Sequence, residues 1–463
     1  MNTTLLDKLK HTLHGDLIMR HEPGYAEACE IWNAMIAEKP RIVVLADSVA
    51  DVIAVVNFAR EQGVVLAIRG GGHNIAGKGT CDDGIMLNLS RLRTVEVDVD
   101  AKTATVAGGA TFADLDAATQ TYGLATSGGV VSNTGVAGLT LGGGFGWLAR
   151  RYGLSADNLI EVDLVTADGV VVTANADHHE DLFWAVRGAG ANFGVVVRFV
   201  FRLHEVGPKI LFGPSVFSIN DAPAMLRHWR DFCEVAPMEC CVWANLTTAP
   251  AAPFIPSSFH GEKVLLLMQA YSGDIQEGQE LLSRFSDLIE PVAEAVAPVD
   301  YVDAQQFLDE TYAFGARNYW GGQAVASLSD EVLDTAISLV DNLPTPTSEI
   351  LFCQLGGAID ELPCSATAYP HRGQSFVITP GARWLDVEDD VRCINWVKSA
   401  SAKLSLGQSS GQYVNFVADR EGREHFAYGS NYSSLLSLKQ RWDPTNLFRT
   451  NQNIVPRNLS ATQ

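Results

Sequence analysis

What the chain lacks narrows it first. Its eight cysteines include no CxxC pair and no Cys/His spacing of the kind that holds zinc. An even count also suits a disulfide-bonded secreted protein, but 463 residues leave room for buried cores that need no staples. No run of 18 apolar residues occurs, so no membrane-spanning helix is expected. The opening MNTTLLDKLKHTLHGDL has no continuous hydrophobic stretch like a signal peptide's, which makes a cytoplasmic protein the default reading. Basic charge is scarce: 33 Lys and Arg stand against 54 Asp and Glu, a formal charge of -21, with no compact basic run. Such a surface repels nucleic-acid phosphates and anionic lipid, and its charge reads as a solubility device. No glycine run continues into GK[ST], and GAGANFG spaces its last glycine one residue too far for a dinucleotide-binding fingerprint.

With 47% apolar and 19% charged residues, the rest is an ordinary globular chain of two or three domains. Its first two hundred residues alternate strand and helix. RIVVLAD and VVLAIRG read as strands flanking a helix that Ser48 caps and Gly63 stops. TVEVDVDAKTATVAGG and VDLVTADGVVVTA alternate as hairpins should, and FGVVVRFVFRL closes the region as a strand. Composition shifts near Val206–Pro208. Beyond it, long amphipathic helices (222–235, 277–292, 329–343 and 387–404) interleave with strands such as KVLLLMQAYSG, EILFCQLGGAI and GQSFVITPG. That pattern predicts an antiparallel sheet with helices on one face and a lined cavity on the other.

Three glycine clusters stand out: RGGGHN at 69–74, the dense stretch 127–158, and RGAGANFGVV at 187–196. Taken singly, RGGGHN fits a tight turn with a solvated histidine. Together, the clusters suggest a cradle in which bare backbone approaches a large, phosphate-bearing ligand.

AIRGGGHNIAG, GGVVSNTGVAGLTLGGGFGWLARRYGLSADNL, DLFWAVRGAGANFGVVVRF and YVNF with the final NYSSLLSLKQRWDPTNLFRTNQNIVP occur in that order. Over residues 20–457 the chain closely resembles the berberine-bridge-enzyme-like branch of the FAD-linked oxidases, in the vanillyl-alcohol-oxidase (PCMH-type) flavoprotein superfamily. The resemblance implies an α+β fold. Residues 1–207 and 416–463 would form a two-part FAD-binding domain, and 208–415 an inserted substrate domain of antiparallel sheet covered by helices. In the family the histidine after the glycine loop is bonded to the flavin 8α-methyl, which implies covalent FAD through His73. Many relatives add a cysteinyl link in a CPTVGVGG stretch. Aligned on VSNTGVAG, that cysteine falls on Val131, which forms no thioether, so a single link is expected.

The resemblance further implies cofactor contacts from Arg69, Gly70, Gly71, Gly72, Asn74, Gly77, Gly135, Val136, Gly138, Gly142, Gly143, Gly146, Gly194, Val195 and Val196. Asp157 and Asn158 fit either a cofactor contact or an ordinary Asx turn, and Asn451 and Asn453 either flavin contacts or caps. QYVNF matches the family's YxN element, in which the tyrosine takes the substrate proton. On a strand, Tyr413 and Asn415 would share a face. An unperturbed phenol is about 0.1% ionised at neutral pH, so that role needs a supporting group which the sequence does not identify. Tyr319, Trp320, Tyr369 and His371 are candidates for the substrate pocket or for plain core. The activity implied is an oxidase that passes a hydride from a small N-heterocyclic amine or aromatic alcohol to flavin N5, with dioxygen as acceptor. Alternatives are a carbohydrate (lactol) oxidase, a dehydrogenase with another acceptor, and a flavin-binding carrier without turnover. Oligomeric state is left open.

Overall fold

The computed structural model describes residues 3–405, 411–418 and 424–460. Near the N-terminus, a four-stranded sheet orders Asp16–Met19, Ile42–Leu45, Ile85–Asn88 and Leu66–Arg69; the last three are parallel. Helix Val49–Gln62 makes the crossover. Ser48 and Asp51 close its first turn reciprocally, and Gly63 ends it at φ 62°, as the sequence pattern predicts. A five-stranded antiparallel sheet follows, ordered Val95–Asp98, Thr103–Ala107, Val195–Arg202, Leu159–Val165 and Val171–Asn175. Val165, Val195 and Val197 join the cluster that holds Ile42, Val44 and Ile85, so the two sheets share a core.

The third sheet is the largest and antiparallel. Its main path runs Ala293–Glu294, Lys209–Ser218, Lys263–Tyr271, Cys240–Thr248, Glu349–Gln354, Phe376–Trp384 and Arg317–Trp320. Side chains alternate across it, which sets what each face does. Val242, Ala244 and Leu246, with Leu265, Leu267, Ile350 and Phe352, pack against Met225, Trp229, Phe232, Phe285, Leu333 and Leu404 of the amphipathic helices. The intervening residues Trp243, Asn245, Leu266, Met268, Glu349 and Leu351 face a cavity. Helices on one face and a lined cavity on the other is the arrangement expected from the sequence.

Glycine shapes two helices locally. Helix Glu180–Ala189 breaks at Arg187 and Gly188. Gly188 takes φ 140°, and a Cβ there would run into the backbone of Tyr369. A short helix, Val136–Leu141, forms inside the second glycine cluster, where the glycine content masks it.

The chain's last described stretch returns to the N-terminal part. Lys439 is buried, and its Nζ donates to the Asn192 and Phe448 carbonyls and to Asp443, each at 2.8 Å. Thr450 Oγ1 donates to the Leu66 carbonyl at 2.9 Å, and Asn451 Nδ2 to that of Ala191 at 2.6 Å. All eight cysteines carry free thiols. Among the described residues, no helix is long and apolar enough to cross a membrane, and no His/Cys/Asp/Glu group is arranged to hold a metal.

Candidate active site

A cavity of about 820 Å³ lies between the glycine clusters and the large sheet, within the roughly 300–1,000 Å³ typical of small-molecule and cofactor sites. Arg69, Gly70, Gly71, Gly72, His73 and Asn74 line it from the first cluster, and Val131, Gly135, Gly138 and Gly142 from the second. Asn451 of the final stretch, Trp320, Tyr413 and Asn415 complete the predicted residues that reach it.

The glycines serve two purposes. Gly71 and Gly135 cross backbone to backbone, so a Cβ on either would overlap the other loop. Gly142 accommodates the Asn415 side chain, and Gly143, at φ 110°, the Tyr369 ring. Gly138 is different: a Cβ there meets nothing within 4 Å, although the residue lines the cavity. The first group brings protein against protein; Gly138 leaves room for a ligand.

His73 ends the first loop beneath Trp32, stacked at 5.6 Å and 18°, with the Phe314 edge at 5.1 Å. No hydrogen bond reaches its buried Nε2 among the described residues. Burial pushes its pKa down to about 4; the Arg69 and Arg383 charges add to the shift, while Asn133 opposes it. The solvated histidine of the simplest reading is therefore ruled out, and the ring is neutral at neutral pH. Asn74 Oδ1 accepts from the Ala76 and Lys78 amides and closes the turn behind it.

Tyr413 does not lie on a strand. Val414–Phe416 form a 3-10 turn directly after it. The turn still brings the pair together, since Asn415 Nδ2 donates to Tyr413 Oη at 2.9 Å and to the Leu139 carbonyl at 3.1 Å. Burial raises the phenol's pKa above its ordinary value, and the amide donors of Asn415, Gly144 and Phe145 oppose that rise. The sequence does not reveal these donors, and they do not reverse the rise. Phe145, tilted at 4.5 Å, and Phe416, edge-on at 5.0 Å, hold the ring.

Other predicted residues stand outside the cavity lining. His371 is no pocket residue: its Nε2 donates to the Gln412 and Ala427 carbonyls at 3.0 and 3.1 Å, bracing the segment that carries Tyr413. Tyr369 is buried behind Tyr413, with ring centroids 6.3 Å apart. Tyr319 packs into a separate cluster with Trp32 and Trp384. Asp157 forms a buried ion pair with Arg372 at 2.5 Å. Asn158 donates to the Tyr152 and Leu154 carbonyls. Gly77, Val136, Gly143, Gly146, Gly194, Val195, Val196 and Asn453 likewise lie off the lining. Gly77 turns at φ 70° against Ile36.

Sequence reasoning missed Phe145, Trp243, Asn245, Tyr312, Glu349 and Arg383, all of which line the cavity. The two-residue alternation in CCVWANLTT, with Trp243 and Asn245 between apolar neighbours, was the available signal.

The cavity fits a flavin on three observations: a neutral imidazole whose buried Nε2 has no hydrogen-bond partner among the described residues, open space at Gly138, and an Arg69 guanidinium whose buried Nε likewise has none. Comparison with known proteins agrees. Residues 40–175 match an FAD binding domain, and 412–455 the berberine and berberine-like family. An FAD-linked oxidoreductase of Dictyostelium discoideum is 30% identical over 459 residues, covering 98% of this chain and 97% of that protein. Among solved structures, 6-hydroxy-D-nicotine oxidase from Arthrobacter nicotinovorans superposes with a TM-score of 0.86 at 24% identity, covering 96% of this chain and 98% of that one. A chitooligosaccharide oxidase gives 0.86 at 23%, covering 98% and 99%. The chain is therefore an FAD-linked oxidoreductase. It belongs to the berberine-bridge-enzyme-like family, within the vanillyl-alcohol-oxidase fold.

Proposed function

We propose that the protein is an oxidase of a small organic substrate, an N-heterocyclic amine or an aromatic alcohol, with FAD held covalently through His73 alone. The observation that carries this reading is the Tyr413–Asn415 pair, which lines the same cavity as His73. FAD, when bound, supplies a two-electron acceptor for a hydride, and dioxygen carries the electrons away as hydrogen peroxide.

The chain's own residues do the rest. Tyr413 Oη takes the proton that leaves the substrate's N–H or O–H as the hydride departs. The amides of Asn415, Gly144 and Phe145 favour the phenolate form that accepts this proton. His73, kept neutral by burial, offers a nitrogen lone pair for a bond to carbon. Arg69 brings a buried positive charge to the glycine loops, suited to an anionic part of the cofactor. Val131 lines the cavity with no sulfur to offer, which supports a single link. Phe145, Trp147, Trp243 and Trp320 make the walls aromatic and favour a flat, ring-bearing substrate.

The reading goes with a division into 1–207, 208–415 and 416–463, and strands of the large sheet lying between Lys209 and Trp384 support it. Eight free thiols suit the reducing cytoplasm. The deciding experiment is an anaerobic screen of amines, alcohols and sugars for bleaching of flavin absorbance. Dioxygen is then mixed with the reduced protein. Fast reoxidation with hydrogen peroxide release is expected; slow reoxidation would make the protein a dehydrogenase, and no bleaching by any substrate would leave only the carrier reading.

A further inference from the structure

The cavity contains a second polar centre, away from Tyr413. Glu349 accepts hydrogen bonds from Tyr312 Oη at 2.7 Å and from Asn245 Nδ2 at 2.6 Å. Glu349, Tyr312 and Asn245 all line the cavity. The other end of the Asn245 amide is an acceptor: its Oδ1 is buried and has no partner among the described residues.

This cluster has an excess of acceptors and no cation of its own. Arg383 is the nearby positive charge, but its guanidinium is engaged elsewhere. It donates to Asn318 Oδ1 at 3.2 Å and to the Ala313 carbonyl, and it lies over the Trp32 ring at 5.7 Å. It forms no ion pair with Glu349 among the described residues. A carboxylate held by two neutral donors is costly to bury unless a cation completes it. Burial accordingly pushes the Glu349 pKa up, with the two hydrogen bonds and Arg383 opposing.

Position separates this centre from the reacting one. Glu349 and Cys353 share a face of one strand, four residues or about 13 Å apart by strand rise. Cys353 packs in the same cluster as Tyr413. A group bound at Glu349 is therefore not the group that Tyr413 deprotonates.

We propose that Glu349 and Asn245 form a recognition subsite for a protonated amine, carried by the substrate at a distance from its oxidised carbon. The ammonium places one N–H on the Glu349 carboxylate and another on Asn245 Oδ1, while Tyr312 fixes the far carboxylate oxygen. This rests on the oxidase reading only in supposing that the cavity admits a substrate. Hydroxyls of neutral carbohydrates could donate to both acceptors but bring no charge to complete the carboxylate, and acids would be repelled.

The test uses the FAD-loaded protein and three size-matched probes: 3-phenylpropylamine, 3-phenylpropan-1-ol and 3-phenylpropanoate. Binding is read by calorimetric titration at neutral pH, independently of turnover. The amine should bind at least tenfold more tightly than the alcohol, with the acid weakest. Glu349→Gln should shrink the amine's advantage to within about threefold. Should that variant not fold, the wild-type ranking alone decides. An alcohol or acid that binds as well as the amine overturns the subsite, as does an advantage that survives in Glu349→Gln. Amine preference without flavin bleaching by any compound leaves the subsite standing and removes the oxidase; bleaching by neutral alcohols without amine preference does the reverse.

Discussion

Asn415 gives one side-chain N–H to Tyr413 Oη at 2.9 Å and another to the Leu139 carbonyl at 3.1 Å, tying the phenol to the helix inside the second glycine cluster. Because burial raises the phenol's pKa, its ionised fraction is small at neutral pH and grows tenfold per pH unit. For a substrate that does not titrate in the range, flavin reduction should therefore accelerate from pH 7 to 10 without a plateau. Tyr413→Phe should keep the fold and the cofactor, slow reduction by about 10²–10⁴, and flatten that rise. Anaerobic stopped-flow at several pH values measures both. A variant rate within about threefold of wild type, short of the tenfold that 1.4 kcal/mol gives, would remove Tyr413 from the mechanism.

His73 is expected to carry the sole covalent link. Flavin fluorescence should stay with the polypeptide on an acid-treated denaturing gel and vanish in His73→Ala. Peptide mass spectrometry should place the flavin on the peptide holding residues 69–74. A flavin found on any cysteine would defeat the single-link reading.

Gly138 and Gly71 should respond in opposite ways to the same methyl group. At Gly138 it meets no protein atom, and in a helix interior alanine is favoured over glycine by about 0.5–1 kcal/mol. The flavin-free Gly138→Ala chain should thus melt no lower than wild type while its flavin-to-protein absorbance ratio falls. Gly71→Ala forces the methyl into the Gly135 backbone and should yield insoluble chain. Full flavin content in Gly138→Ala would mean that the cofactor does not pass that point.

Acid should weaken the fold through its buried histidines. The His371 pKa is pushed down to about 4 by burial, although the Gln412 and Ala427 carbonyls favour the charged form. In the unfolded chain it returns to about 6.5, so the unfolded state binds the proton first as pH falls. The contribution is complete above pH 6.5 and shrinks toward pH 4, by about 3 kcal/mol at that point. His204, also near 4 and beside Asn158, adds in the same direction. Urea midpoints between pH 7 and pH 4 should fall more steeply for wild type than for His371→Gln. Equal slopes would show that His371 does not titrate on unfolding.

Elements carried by strong periodicity were legible in the sequence. The Ser48–Gly63 helix has its cap, its apolar spacing and its glycine stop within sixteen residues. The hairpins need only local alternation. The cavity depends on pairings across hundreds of residues, which no local pattern reports. His371 stood between pocket and core in the sequence, and its ring N–H is in fact given to two carbonyls from distant segments. Glu349 passed unnoticed for the opposite reason. A single glutamate opening an apolar strand looks like a surface residue until Asn245 and Tyr312, 104 and 37 residues away, are found on its oxygens.

The Lys439 ammonium and its neighbours also set a timetable. Lys439 reaches back 247 residues to Asn192, and Thr450 reaches back 384 to Leu66. At roughly 5–20 residues per second of synthesis, the glycine loops emerge tens of seconds before Asn451 arrives to close the cavity wall. During that interval the nascent chain presents an open half-cradle, and a cofactor resting there can leave as easily as it came. If the flavin is held as proposed, its capture should wait for residues 439–451, and a ribosome stalled before residue 439 should release a chain without flavin.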